Sequence, residues 1–286
     1  MLFDYIRVIK KIGATRTDVS YENQDDTAKT EIPLESTDHV LIGMQYPFNN
    51  FFVNLTGSEP NDAVSALSLE YWNGSAWKSV VDLIDGTSVS GKTFAKSGHV
   101  IFALDKHEAG WLKVTDPETD GPDELDETNI YDLYWLRLKV SAELVAADIA
   151  DTVSFEEIGF AWTTGQKMKA IKSEIDRYLP SFATGKTNWI PEIMLACKMM
   201  STELKKAGLV LGPQQVLRVD DFWLPATYKT LWLIYSNLGP AYIESANAMA
   251  HQFYKTMNVD NISVDQDLNG RQSDWEKDSR VRTGTR

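Results

Sequence analysis

Cysteine is almost absent from this chain. A single one, Cys197, stands among 286 residues, so no disulfide framework holds the fold, and its place on an apolar helical face marks it as a buried packing residue. Long apolar runs are missing too, and the start, Met1-Leu-Phe-Asp-Tyr-Ile-Arg7, has no basic segment followed by an apolar one. Neither a membrane span nor a secretion signal is expected, which places synthesis in the cytoplasm. Histidine is scarce: His39, His99, His107 and His251 are scattered, and none has a His, Cys or carboxylate at metal-ligand spacing. No serine lies in a nucleophile-elbow sequence. Acidic pairs such as Glu156-Glu157 and Asp220-Asp221 would serve acid/base chemistry only if the fold aimed them at each other. With no catalytic set, the reading is of a protein that is not an enzyme.

Basic residues are scarce in the first part of the chain alone. Residues 1–165 carry 12 Lys and Arg against 28 Asp and Glu, net −16, whereas 166–286 carry 16 against 13, net +3. The acidic part repels nucleic acid and anionic membranes. The run Asp116–Asp132 reads as solvated acidic surface.

What is present begins with Leu67-Ser-Leu-Glu-Tyr-Trp-Asn-Gly-Ser-Ala-Trp-Lys-Ser-Val-Val81, where an alternating run meets Asn73-Gly74 and a second run leaves it. The pattern predicts a β-hairpin closed by a two-residue type I′ turn, with Leu67, Leu69 and Tyr71 on the core face and Trp72 on the other. Before it, Gly13–Thr30 is polar and without apolar period, and reads as a loop or arm. Short turn-bounded segments follow: Glu31–Leu34, Val40–Met44, Phe51–Leu55, His99–Leu104, Trp111–Val114, Tyr134–Val140 and Val153–Trp162. In Tyr134–Val140, Trp135, Arg137 and Lys139 face outward. No helical period interrupts these strands, so residues 1–165 are expected to form an antiparallel, jelly-roll-like β-sandwich with an N-terminal arm.

At Thr163-Thr-Gly165 the period changes from two to about 3.6. Residues 166–257 then predict a small antiparallel helical bundle. Its stripes are Met168–Leu179, ending at Pro180; Ile190–Ala207, with Pro191 in the first turn, Lys205-Lys206 in the last and Gly208 beyond; Asp220–Gly239, apolar on nearly every side; and Tyr242–Met257. Residues 258–286 form a polar C-terminal arm, basic at Arg280, Arg282 and Arg286.

Three motifs have two readings each. Gly86-Thr-Ser-Val-Ser-Gly-Lys92-Thr93 matches the phosphate-loop pattern, but only Phe94–Ser97 separate it from Gly98 and the next strand, which leaves no room for the helix that such a loop requires. Asp265, Asp267, Asn269, Ser273 and Glu276 stand at positions 1, 3, 5, 9 and 12 of a calcium loop, with Gly270 at the turn position; a polar turn is the alternative, and no other cofactor is implied. Trp72 and Trp135, outward by the alternation, are candidates for stacking on sugar rings, against burial between layers.

The pattern Leu69-Glu-Tyr-Trp-Asn-Gly-Ser-Ala-Trp77, Asp85-Gly-Thr87, Ser97-Gly98, Trp111 and Tyr134-Trp-Leu-Arg137 resembles β-sandwich domains of tailed-bacteriophage neck and tail proteins. Residues 166–286 resemble, in layout, the head-completion or adaptor proteins that ring the portal. The resemblance implies a structural virion protein, a head-to-tail adaptor. It also implies a homo-oligomeric ring, partners in the portal protein and other neck or tail proteins, no membrane, and nucleic acid only as packaged DNA passing a channel. The arginines Arg280, Arg282 and Arg286 would then serve an interface. A glycan- or receptor-binding protein of the tail or baseplate is the other reading, with Trp72 and Trp135 as its stacking surface.

Overall fold

The structure is a computed structural model, and it describes residues 6–24, 34–45, 47–55, 60–103, 110–145, 153–159, 161–184, 186, 188–206 and 222–257; of the side chains at 153–159 only Phe155 is described. The chain divides into two compact units, Met1–Gly159 and Phe160–Arg286. Antiparallel sheets build the first and helices the second.

Ten strands are described in the first unit: β1 Arg7–Ile12, β2 Thr15–Asp18, β3 His39–Met44, β4 Asn50–Leu55, β5 Leu67–Trp72, β6 Trp77–Ser79, β7 Val81–Asp85, β8 Gly98–Ala103, β9 Tyr134–Val140 and β10 Val153–Gly159. They form a six-stranded sheet in the order β2-β1-β3-β9-β5-β6 and a four-stranded sheet in the order β10-β4-β8-β7, with every strand pair antiparallel. Strand β9 is central because its apolar residues alternate cleanly: Leu136, Leu138 and Val140 are buried on one face. On its other face Trp135 lies across β3, and a Cβ added at Gly43 would meet that indole at 2.8 Å. Glycine is what lets the ring approach the backbone so closely.

Three expectations change in this unit. Residues 13–24 are not an arm: Gly13, at φ +55°, turns the chain into β2, and a short helix α1, Ser20–Gln24, follows. The strand was invisible to periodicity because all four residues, Thr-Arg-Thr-Asp, are exposed on the sheet's edge. Asn23 then acts as a strand in miniature, donating from Nδ2 to the Phe155 carbonyl (3.1 Å) and accepting from the Phe155 amide (2.7 Å) on edge strand β10. The hairpin is present, with Trp72 opposite Trp77, but its turn has four residues. Only Gly74 takes a positive φ, and the Asn73 carboxamide accepts from the Ser75 and Ala76 amides, an Asx turn in place of type I′. Trp111–Val114 contributes one isolated bridge, Val114 with Leu133, and no strand.

The second unit opens with Ala161, Trp162 and Thr163, all buried. They belong to the helices and not to the sheet, because the Trp162 amide meets the Cys197 sulfur, its indole stacks on Phe222 at 5.0 Å, and Thr163 shares a hydroxyl contact with Thr227. Helix α2, Gly165–Ile171, is capped by Thr164, whose hydroxyl accepts from the Lys167 amide. The stripe expected to continue to Leu179 breaks at Lys172. A 3-10 turn, Ile175–Tyr178, and a single turn α3, Leu179–Phe182, complete it, with Pro180 inside that turn instead of after it. Helices α4, Ile190–Lys206, α5, Trp223–Asn237, and α6, Ile243–Thr256, follow. Between α5 and α6, Gly239 at φ +103° makes the turn. Helix α5 buries Ala226, Thr227, Lys229, Thr230, Leu231, Ile234 and Tyr235, while Ser236 and Asn237 are exposed, so it is buried on most but not all sides.

Candidate functional site

The densest set of charged side chains in the described residues lies on the face of the six-stranded sheet that carries Trp72 and Trp135. Two register pairs put Arg137 of β9 opposite Leu41 of β3 and Glu70 of β5. Arg137 Nε donates to Glu70 Oε2 at 2.8 Å and its Nη1 to Glu124 Oε1 at 2.7 Å. Lys139 Nζ approaches the same Glu70 oxygen at 3.2 Å, and the guanidinium lies 4.5 Å over the Trp77 ring.

Glu124 comes from elsewhere in the chain. Residues 112–133 leave the sheet and return to it, and their ends are tied by mutual amide–carbonyl bonds between Val114 and Leu133. This strap crosses the sheet face and buries Val114, Leu125, Ile130 and Leu133 against Ile9, Leu41, Trp72 and Trp135. Polar pins hold it. Arg16 donates to the carbonyls of Asp123 (2.7 Å) and Asp126 (2.9 Å), the Trp72 indole to that of Asp120 (2.9 Å), and the Trp77 indole to Glu124 Oε2 (3.3 Å). Asp116–Asp132 is therefore not free surface: Glu118, Asp123, Glu127 and Asp132 are exposed, while Glu124 turns in to Arg137 and Leu125 and Ile130 pack on the sheet.

His39 lies beneath the strap, 3% exposed, with Nε2 3.8 Å from Glu124 Oε1 and neither ring nitrogen hydrogen-bonded. Burial, with Lys11, Arg137 and Lys139 nearby, lowers its pKa to about 4 although Glu124 opposes this, so the ring is neutral near pH 7. Burial raises Glu124, but bonds from its own amide and from Trp77, together with Arg137, outweigh that and hold the carboxyl below its ordinary value. Chemically the cluster fastens: a guanidinium bridges two carboxylates, one on the sheet and one on the strap.

The second unit has two smaller groupings. Lys229, buried, reaches Glu203 at 3.1 Å and lies 4.3 Å over Trp232 and 4.6 Å over Phe253. Tyr178, Tyr235 and Tyr242 form an aromatic cluster, where burial and then Tyr178, Glu174 and Tyr242 push the Tyr235 hydroxyl up to about 12.

The residues singled out from sequence divide as follows. Trp72 and Trp135 do face away from Leu69 and Leu136, but the strap covers that face and both are buried, so neither offers a ring to a sugar. The Gly86–Thr93 stretch is a pinned loop. Thr87 Oγ1 accepts from the Phe94 amide, Lys92 pairs with Asp62, and Ser65 bridges to Lys92. We expect Lys92→Ala to leave folding and ligand profile unchanged; detectable ATP binding that this variant loses would overturn that view. His99 meets Asn50 at 3.2 Å and the Phe52 ring, and His251 is exposed. Cys197 is buried, and burial raises its thiol to about 11. The calcium-like residues Asp265, Asp267, Asn269 and Glu276, the arginines Arg280, Arg282 and Arg286, and also His107 and Asp220-Asp221, lie outside the described residues.

Sequence reasoning missed Arg16, His39, Glu70, Glu124 and Arg137 as a set. Strand register relates Arg16, His39, Arg137 and Glu70, but Glu124 reaches them from a 3-10 turn of the strap that no local pattern ties to the sheet. No helix among the described residues is long and apolar enough to cross a membrane. Comparison with known proteins finds no matching family model, no matching curated protein and no matching solved structure.

Proposed function

We propose that this chain is a structural virion protein of a tailed bacteriophage, a head-to-tail adaptor that forms a ring on the portal. In this reading the two sheets close as a jelly-roll-like β-sandwich, and the helices form a small antiparallel bundle. The helical unit docks on the portal, and the acidic unit serves as a spacer or decoration. The observation that carries it is the layout of two compact units, sheets first and helices second. The residues from Leu69–Trp77 to Tyr134–Arg137 on which the resemblance to phage neck and tail proteins rests fall within the first unit, and the helices of the second support the adaptor reading. The Arg137 cluster agrees, because its charged groups brace a cover instead of lining an open cleft. The glycan-binding alternative loses its stacking surface with Trp72 and Trp135 buried.

The basic end of the chain gives the test. Residues 280–286 carry three arginines and no acid, suited to bidentate capture of carboxylates on a neighbouring copy or on the portal. Deleting Asp278–Arg286 is expected to leave the melting temperature nearly unchanged while weakening attachment in reconstituted particles, more so at high salt. Full assembly after deletion would remove the arm from the mechanism.

A further inference from the structure

We propose that the exposed stripe of helix α4 docks on the acidic outer surface of the 112–133 strap of a second copy of this chain. The stripe follows from helical spacing. Pro191, Leu195, Lys198, Thr202, Lys205 and Lys206 recur at steps of three and four and are all exposed, while Ile193, Cys197, Met200 and Leu204 are buried on the opposite side. It runs nearly the whole helix, about 22 Å at 1.5 Å per residue.

Its charge has one sign. Helix α4 holds two acids, and both are engaged by lysines from elsewhere: Glu192, buried, pairs with Lys186 at 2.9 Å and Glu203 with Lys229 at 3.1 Å. Lys198, Lys205 and Lys206 are left on the outside with no carboxylate in the stripe, and Leu195, 49% exposed, adjoins Lys198 one turn away. The strap presents the complement. Its outward groups are Glu118, Asp123, Glu127 and Asp132, and its single base, Lys113, stands at one end over the Tyr134 ring. Tyr131, 51% exposed, lies beside Asp132. Each surface thus sets charge of one sign around a large side chain, the make-up of a polar rim with an anchor.

The occupant is a second copy because the chain carries both surfaces, and the opposition extends beyond them: residues 1–165 are net −16 and 166–286 net +3. Nucleic acid is the rival occupant for a lysine stripe, but the acidic part of the same chain repels phosphate. Stripe repels stripe and strap repels strap, so the contact joins unlike faces. Repeated head to tail it would build the ring proposed above, yet it rests on the charges of this chain and not on a portal.

Sedimentation velocity of the full chain at about 0.15 M salt, where a Debye length of about 8 Å screens its overall −13, tests it. Self-association at about 1–100 μM is expected, and it should weaken in about 1 M salt. Lys198→Glu with Lys205→Glu and Lys206→Glu should weaken it roughly a hundredfold, and so, separately, should Glu118→Lys with Asp123→Lys and Glu127→Lys. Mixing the two triple variants should restore it, because the reversed helix of one meets the reversed strap of the other while the unaltered faces meet as before. Should a reversal unfold its unit, as circular dichroism reports, Gln at the three lysine positions should weaken association about tenfold. A chain that stays monomeric up to about 0.1 mM would overturn the proposal. Association that survives the lysine substitutions, or two folded variants that stay apart when mixed, would do the same. So would a DNA duplex that binds through the three lysines more tightly than the second copy does. Rings on a portal from a chain that fails these tests would leave the adaptor reading standing, and self-association beside bare portals would do the opposite.

Discussion

Leu231→Asp is expected to abolish the cooperative melting of the helical unit while leaving the transition of the sheet unit in place. Leu231 has no exposed surface, on a helix whose neighbours Ala226, Thr230 and Ile234 are equally buried. Removing the leucine side chain costs roughly 2–5 kcal/mol in a packed core. An unpaired carboxylate in the same space costs several more unless it is protonated. That sum is comparable with the whole stability of a small domain, about 5–15 kcal/mol. Separate behaviour of the two units is expected because each is compact by itself. Trp232→Asp should be milder, since Trp232 is only half-buried and Lys229 lies 4.3 Å from its ring, close enough to partner the new acid. Differential scanning calorimetry reads both, and a two-transition trace unchanged by Leu231→Asp would contradict the account of α5.

Arg137→Ala should destabilise the first unit by roughly 3–5 kcal/mol, the usual cost of breaking a largely buried ion pair from one side. Its guanidinium is 12% exposed and is shared by Glu70 and Glu124, at 21% and 15%. Without it those two carboxylates face each other with only Lys139 beside Glu70, and Trp77 loses the cation over its ring. Arg137→Lys should recover part of the loss, because one ammonium cannot bridge two carboxylates in the way that the planar fork does. Urea unfolding measures this. A cost under about 1 kcal/mol for Arg137→Ala, the value of an exposed pair, would show that the cluster does not hold the strap.

The parts of this fold that sequence made legible are those with a local cause. Period two in Tyr134–Val140 and Leu67–Trp72 placed both strands and named the faces of Leu69, Trp72 and Arg137 correctly. Pro191, Lys205 and Lys206 marked the ends of α4, and the change of period near Thr163 marked where helices begin. Residues whose surroundings come from far along the chain were not legible. Trp72 and Trp135 were outward by alternation and yet buried, because the strap that covers them reads as an acidic surface loop with Val114, Leu125, Ile130 and Leu133 at no regular spacing. Asn23 could not be seen as the partner of Phe155, 132 residues away, nor Arg16 as an anchor for Asp123 and Asp126. Within the Asn73-Gly74 turn the difference is one of side-chain chemistry: the asparagine carboxamide closes a four-residue loop that competes with the two-residue turn its sequence also allows.

The central claim, that this chain assembles as a ring on a portal, is tested most directly by negative-stain electron microscopy of the purified protein mixed with its portal. The account predicts closed rings of this chain stacked coaxially on the portal. Portal rings that stay bare in a mixture where the protein is folded and in excess would contradict it.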